Sequence, residues 1–380
     1  MPEHDILILG GGPGGLSTAL HIARDSPNLA PRILILERSH YPRPKLCAGG
    51  LVVDAEMILQ RLGLDVSEVP HVDAQRIHFD FEAKGLQIRM PRRHALRVIR
   101  RDEFDQWLAR KAETRGLEIR EGVIVRNVIP DETGVTVETD QGDFRAQVVV
   151  GADGSNGVTR RCVFPNAQLH TARVLEVLTP SQARHGWWGS AHFEFFPILS
   201  NIAGYVWDFP TQVNGELMRC WGIYDTNILS NEKRPQLKEP LAKEMSRFGF
   251  NLNDFEIKGH PIRWFSPGSP LSVPRVLLVG DAAGADPFLG EGISMALGYG
   301  ALAAREIGEA IRRGDFSFRG YRRRVWKSGL GQALITRWLL AHTIYMFRRK
   351  GFQIFIWRVM RPVVTVVAWI FVINWARRIP

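Results

Sequence analysis

Residues 5–15 read Asp-Ile-Leu-Ile-Leu-Gly-Gly-Gly-Pro-Gly-Gly, and this run constrains the fold more than any other stretch of the 380-residue chain. Asp5 to Leu9 is a short apolar run suited to a buried parallel strand. The glycines follow it directly, Leu16 to Arg24 continues as a helix, and Arg32 to Glu37 is a second buried strand. Strand, glycine turn, helix and strand in this order make one βαβ unit. Each glycine has its own reason. Gly10 allows the tight turn, Gly12 lets the backbone approach a pyrophosphate, and Gly15 lets the helix pack close to the strand. The helix start offers free N–H groups and a favourable dipole to phosphate. Glu37 closes the second strand, 22 residues after Gly15, where it can accept from a ribose hydroxyl. A tight turn with no ligand is the bland alternative.

Two later glycine turns extend the theme. Gly151-Ala152-Asp153-Gly154-Ser155 follows the apolar strand at Val148–Val150, and Gly280 opens a loop that runs through Asp281 to Gly292, Ile293 and Ser294. An aspartate at a strand end can hold a ribityl or ribose hydroxyl, and the glycines after it let backbone N–H groups face a flavin carbonyl. One such loop is weak evidence. Three in this order, across 280 residues, are hard to obtain by chance.

The rest of the chain sets the boundaries. Ile99 to Arg115 reads as an amphipathic helix with Phe104, Leu108 and Ala112 spaced by four. Strands are expected at Gly122–Ile129, Val135–Thr139 and Ala146–Gly151. Between Cys162 and Pro274 the texture shifts to short aromatic-rich stretches, Trp187-Trp188-Gly189 and Gly204 to Pro210 among them, which suggest antiparallel strands. Arg275 to Val279 returns to a buried strand, and Ile293–Arg312 to a helix. The expected fold is α/β: a discontinuous Rossmann-type FAD-binding domain (1–75, 95–162 and 275–315) with an inserted antiparallel-sheet substrate domain (76–94 and 163–274). A helical tail, 316–380, completes it.

Composition bears chiefly on that tail. A 45% apolar and 23% charged chain is globular. The net charge of +10 sits entirely beyond Asp315: residues 316–380 hold 13 Lys or Arg and no Asp or Glu. The same segment carries Trp326, Trp338, Trp357, Trp369 and Trp375. Basic and aromatic residues together suit nucleic acid or an anionic membrane surface. The apolar run around residues 363–373 favours the membrane, so no nucleic acid is expected. Pro362 to Ala376 would be roughly 22 Å long as a helix, short of the about 30 Å hydrocarbon core. With Arg358 and Arg361 before it and Arg377 and Arg378 after it, it is expected to lie in or dip into one leaflet. Packing on the protein body is the alternative. Cys47, Cys162 and Cys220 form no disulfide framework, no metal site is expected, and the N-terminus has no signal-peptide pattern. A cytoplasmic, peripheral location is the default.

With these loops in view, the chain resembles the flavoprotein superfamily that includes p-hydroxybenzoate hydroxylase. Two further segments are similar to the geranylgeranyl reductase family: Tyr41-Pro42-Arg43-Pro44-Lys45-Leu46-Cys47-Ala48-Gly49-Gly50 and Tyr205-Val206-Trp207-Asp208-Phe209-Pro210. The likeness spans roughly residues 1–310. It implies FAD, an electron donor, and saturation of carbon–carbon double bonds in an isoprenoid chain. By matching position it implies FAD contacts at Gly14, Glu37, Cys47, Ala48, Gly50, Arg101, Val125, Asp281, Gly292 and Ile293. Ala48 replaces a glycine common in the family, and the Asp281-to-Gly292 loop is one residue shorter than in archaeal lipid reductases.

Three residues are candidates for the chemistry. Cys47 is placed by the resemblance beside the isoalloxazine, where it shapes or protonates the site; simple packing is its ordinary role. Period-2 alternation puts Tyr205, Trp207 and Phe209 on one strand face, suited to an apolar channel or to plain core, with Tyr205 a second candidate acid. No second glycine fingerprint is present, so NADPH or a ferredoxin-type donor is expected to dock transiently. The Trp-x-Trp-x-Ile-Pro segment of the halogenases is missing, which argues against halogenation. The expected function is reduction of a prenylated lipid, quinone or pigment; a flavin monooxygenase is the runner-up, and a non-catalytic flavoprotein subunit comes third.

Overall fold

The computed structural model describes residues 4–181, 189–228, 235–367 and 373–379. Ile6–Leu9, fully buried, sits in the middle of a six-stranded sheet, paired in parallel with Ile33–Glu37 on one side and Val148–Gly151 on the other. Glu118–Glu121 extends one edge and Val276–Leu278 the other, both in parallel, and Ser272–Val273 closes that edge antiparallel. Strands buried on both faces need apolar runs, and Ile6–Leu9, Ile33–Glu37, Val148–Gly151 and Val276–Leu278 have them, whereas the edge strand Glu118–Glu121 does not. Gly122 has a φ of +78° and lies in a turn, so the strand expected from that residue begins only at Val125. The helix expected from Ile99 begins at Arg101, because Leu96–Ile99 pairs as a strand with His71–Ala74 and the Ile99 amide donates to the Gly49 carbonyl at 3.0 Å.

A seven-stranded sheet stands over this core in the order Lys258–Arg263, Thr171–Pro180, Glu216–Asp225, Gly204–Val213, Ser190–Glu194, Arg76–Phe81, Lys84–Arg89. It is antiparallel except where Ser190–Glu194 joins Arg76–Phe81 in parallel, a pairing that the expectation of a purely antiparallel sheet missed. Two distant chain segments meet at that seam, so no hairpin sets their direction. The Trp187-Trp188 stretch and Trp369 lie outside the described residues.

The tail docks on both parts. Tyr321–Lys327 and Gly329–Ile344 are helices whose Tyr321, Val325, Leu330 and Leu334 join the core of the first domain, while Tyr345 and Trp357 join the core beneath the seven-stranded sheet. The continuous helix expected over Pro362–Ala376 is not what forms. A helix covers Arg361–Val367, Asn374 adopts left-handed backbone, and Trp375 and Ala376 are buried in the first core. Asp54 causes this return, since its carboxylate accepts from the backbone amides of Asn374 at 2.9 Å and Ala376 at 2.7 Å. No helix among the described residues is long and apolar enough to cross a membrane.

Candidate active site

One cavity of about 650 Å³ runs between the two sheets. Its polar end is built from helix starts. The Pro13–Asp25 helix follows Gly12 and the Ile293–Arg313 helix follows Gly292; neither has a side-chain cap, so both present backbone N–H groups at the cavity wall. The two starts come together because Gly14 lies against Gly280, whose backbone nitrogen would sit 3.3 Å from a Cβ at Gly14.

Every residue singled out for flavin contact lines this cavity except one. Gly15 lies behind it, where an added Cβ would fall 2.1 Å from the Gly10 carbonyl oxygen; it is the close-packing glycine of the turn. Glu37 accepts from the Gly11 amide at 2.8 Å and the Ser39 amide at 3.1 Å, which orients its carboxylate at the strand end. Asp281 accepts from the Ser155 hydroxyl at 3.3 Å, tying the second and third glycine loops together. Arg101 is held by both oxygens of Asp105 at 2.8 Å. It is therefore a paired, rigid guanidinium and not a lone cation. Arg43, which sequence reasoning did not select, stands 3.2 Å from the same carboxylate and 3.4 Å from Glu37, adding a second guanidinium at this end. Ala48, Gly50 and Val125 contribute wall surface.

This donor set suits a dinucleotide. Uncapped helix starts and two fixed guanidiniums meet the chemistry of a pyrophosphate, and carboxylates at two strand ends meet that of sugar or ribityl hydroxyls. FAD thus fits the residues present.

The far end is apolar. Tyr205, Trp207 and Phe209 do face the cavity together, and Phe193 packs on Tyr205 and Phe209 with ring centroids 5.1 Å from each. The Trp207 ring occupies space over Gly222, where a Cβ would fall 2.0 Å from it. The Tyr205 hydroxyl donates to the Leu289 carbonyl, and burial pushes it well above its ordinary range. Its proton is thus engaged in fastening the strand to the Asp281-to-Gly292 loop. The Cys47 thiol accepts weakly from the Gly49 amide at 3.4 Å, and burial pushes it up against the pull of Arg101, so it stays protonated at neutral pH.

Sequence reasoning missed most of the tail's part in this site. Trp357, Met360, Val363, Val364 and Val367 complete the apolar wall, with Trp357 stacked on Phe195 at 4.1 Å. Arg337, 2% exposed, donates to Asp286 at 2.9 Å and to Glu291 at 2.6 Å, locking the tail to the loop that presents Gly292. Lys45 meets His260 at 2.8 Å; burial pulls both pKa values down, His260 to about 4. Lys45 was legible, since it stands in the Pro-Lys-Cys segment. His260 and Arg337 had no local signal. Outside the cavity, on the other face of the seven-stranded sheet, His78, Asp80 and His192 bring ligand-type atoms within 4.8 Å of one another, a grouping that strand pairing creates and the sequence does not announce.

Gly10 tests the cofactor assignment. Its φ is +112° and a Cβ would meet the Ala152 carbonyl oxygen at 2.4 Å, so Gly10→Ala is expected to distort the turn and purify without flavin. A folded variant as yellow as the parent would remove the turn from the cofactor site.

Comparison with known proteins agrees with this geometry. Residues 3–315 match the family model described as FAD binding domain. A digeranylgeranylglycerophospholipid reductase of Thermoplasma acidophilum is 28% identical over 342 residues, covering 83% of this chain and 81% of the relative. A menaquinone reductase of Mycolicibacterium smegmatis is 27% identical over 324 residues, covering 79% and 75%. Among solved structures, a geranylgeranyl bacteriochlorophyll reductase-like protein from T. acidophilum superposes with a TM-score of 0.76 at 23% identity, over 98% of this chain and 93% of the other. The flavin-dependent brominase Bmp2 superposes at 0.72 with 18% identity, over 99% and 94%, which is a likeness of fold. The chain belongs to the FAD-binding-domain family and is an FAD-dependent oxidoreductase, similar in sequence to digeranylgeranylglycerophospholipid reductases.

Proposed function

We propose that this enzyme saturates carbon–carbon double bonds in the prenyl chain of a lipid or quinone, taking that chain from a membrane surface. The observation that carries the reading is the continuity of one cavity, with a dinucleotide cradle at one end and a wall of aromatic and aliphatic side chains at the other. Such a wall offers a long hydrocarbon dispersion contacts and about 25 cal/mol per Å² of apolar surface removed from water. The names of the two relatives, one acting on a prenyl glycerophospholipid and one on menaquinone, support a prenylated substrate.

Bound flavin would supply the reducing equivalent as hydride. The protein's own groups do the rest. Cys47 keeps a protonated thiol at the boundary between the polar and apolar ends, Tyr205 fastens the loop beneath, and Trp357 and the Arg361–Val367 helix exclude water. NADPH or a ferredoxin-type protein would deliver electrons by transient docking. The tail also supports membrane contact: Met346, Phe347, Phe355, Val359, Val363 and Val366 are exposed apolar residues interspersed with Arg348, Arg349, Lys350 and Arg361, a composition that suits an anionic lipid surface.

The reading is tested by incubating the holoenzyme, a reductant and membrane lipid extract without oxygen, then weighing prenylated species by mass spectrometry. Stepwise gain of two hydrogens per bond in one species is expected. A product formed only with oxygen and carrying an added oxygen atom would overturn it in favour of a monooxygenase.

A further inference from the structure

We propose that Glu176 delivers the proton that completes saturation of the alkene, from its Oε2 atom. The proposal rests on the prenyl-reductase reading above and adds the acid that the reading lacks. Glu176 lies on the Thr171–Pro180 strand, on the face it shares with Ala172 and Val174, which points at the cavity; Val177 points the other way into a separate core. Its backbone neighbours are Gly222 on one side and Lys258 on the other. Gly222 has no side chain, and the Trp207 ring fills the space above it. The carboxyl group therefore stands in the apolar wall beside Trp207.

Glu176 is 5% exposed, and its Oε2 atom is buried with no hydrogen-bond partner among the described residues. A buried polar atom left unpaired is costly, so one that faces a cavity calls for an explanation. The other acids of the cavity wall all accept hydrogen bonds from the protein; Asp153 also keeps its Oδ1 atom buried and without a partner among the described residues, but it stands in the second glycine loop, at the polar end of the cavity. Glu37 accepts from Gly11 and Ser39, Asp153 from Thr159, Asp281 from Ser155, and Glu291 from Arg337. Glu176 meets the Cys47 backbone amide and the Cys220 thiol, with Arg100 and Lys258 the cations that face it. Burial outweighs these contacts and pushes its pKa up to about 7, so the carboxyl exchanges a proton near neutral pH, where an ordinary glutamate would already have lost it. Neither Cys47, with its thiol pushed up, nor Tyr205, with its hydroxyl committed to Leu289, competes as well.

The balance closes. One double bond takes up two electrons and two hydrogens. Both electrons and one hydrogen would come as hydride from bound reduced flavin, and Glu176 supplies the other hydrogen as a proton. The carboxylate left behind is stabilised by the Cys47 amide and Arg100, then takes a proton from water at the cavity mouth.

Glu176→Gln preserves shape and removes the acid. Turnover in prenyl saturation is expected to fall about 100-fold, with KM within about threefold and flavin content unchanged. A second measurement uses cofactor-free protein. The folded pKa stands above the ordinary 4.5, so the fold favours the protonated form and this group's contribution to stability is lost as pH rises from 4.5 through about 7. The Tm of the parent should therefore drop more over that window than the Tm of the variant, and the infrared band of protonated buried carboxyls, to which Glu194 contributes in both proteins, should be weaker in the variant by one group. An active parent with a variant retaining more than half its turnover overturns the proposal alone. A parent that saturates no prenyl chain overturns the underlying reading with it, and equal pH profiles of the two cofactor-free proteins overturn the buried acid.

Discussion

Replacing Arg337 with methionine is expected to cost the fold about 3–5 kcal/mol and to speed flavin release. Methionine keeps most of the side chain's length, so the loss is one of charge and hydrogen bonds. Asp286, fully buried, and Glu291 would be left as carboxylates whose shared cation is gone. Asp286 would still accept from the Phe288 and Leu289 amides at 2.7 and 3.1 Å, which holds the loop's shape but not its charge. Because the same loop presents Gly292 and Ile293 to the cofactor, stability and flavin retention should fall together. Urea unfolding and the rate of flavin loss on dilution measure the two. Adding Asp286→Asn and Glu291→Gln removes the stranded charges and should recover much of the stability. A single variant within about 1 kcal/mol of the parent would show that the ion cluster carries no such burden.

Trp375→Ala is expected to destabilise by about 3–5 kcal/mol, the range for deleting a large buried aromatic. Trp375 is 0% exposed and packs on Gly298, where an added Cβ would meet the indole at 2.8 Å. The Asp54 carboxylate fixes the backbone on both sides of it, so the side chain cannot withdraw and let the core collapse. The same reasoning applies to a deletion of Phe352 to Pro380. That cut removes Trp357 from one core and Trp375 from the other, so it is expected to unfold the enzyme and not merely to free it from membranes. Point changes on the exposed face, such as Phe347→Glu, separate membrane contact from folding. Trp375→Ala unfolding at the parent's denaturant midpoint would show the tail to be a loose attachment.

The cradle was legible because its requirements are local. Gly10, Gly12 and Gly15 each answer a steric demand inside one turn, and strand, turn and helix sit within thirty residues. The aromatic face of Tyr205, Trp207 and Phe209 was legible for the same reason, since alternation along one strand sets it. What escaped notice depends on partners far away in sequence. Glu176 looks like any strand glutamate until Gly222 and Lys258 are placed beside it. Asp54 sits unremarked in a helix's first turn, yet it decides where residues 374–376 go. The tail misled because its composition is shared by two situations: a helix greasy on many sides suits a bilayer, and it also suits a segment wedged between two cores. The purely apolar count could not separate them. Arg337 on the Gly329–Ile344 helix shows the same limit, since nothing beside it in sequence announces that it is buried against Asp286 and Glu291.

The placement of the tail also makes the chamber indivisible. Residues 1–315 contain every glycine loop of the cradle, yet Trp357 and Trp375 each fill a core that those residues leave open. A fragment that stops before the tail is therefore expected to lose its grip on flavin together with the greasy half of the chamber, so neither half can be borrowed as a working piece without the other.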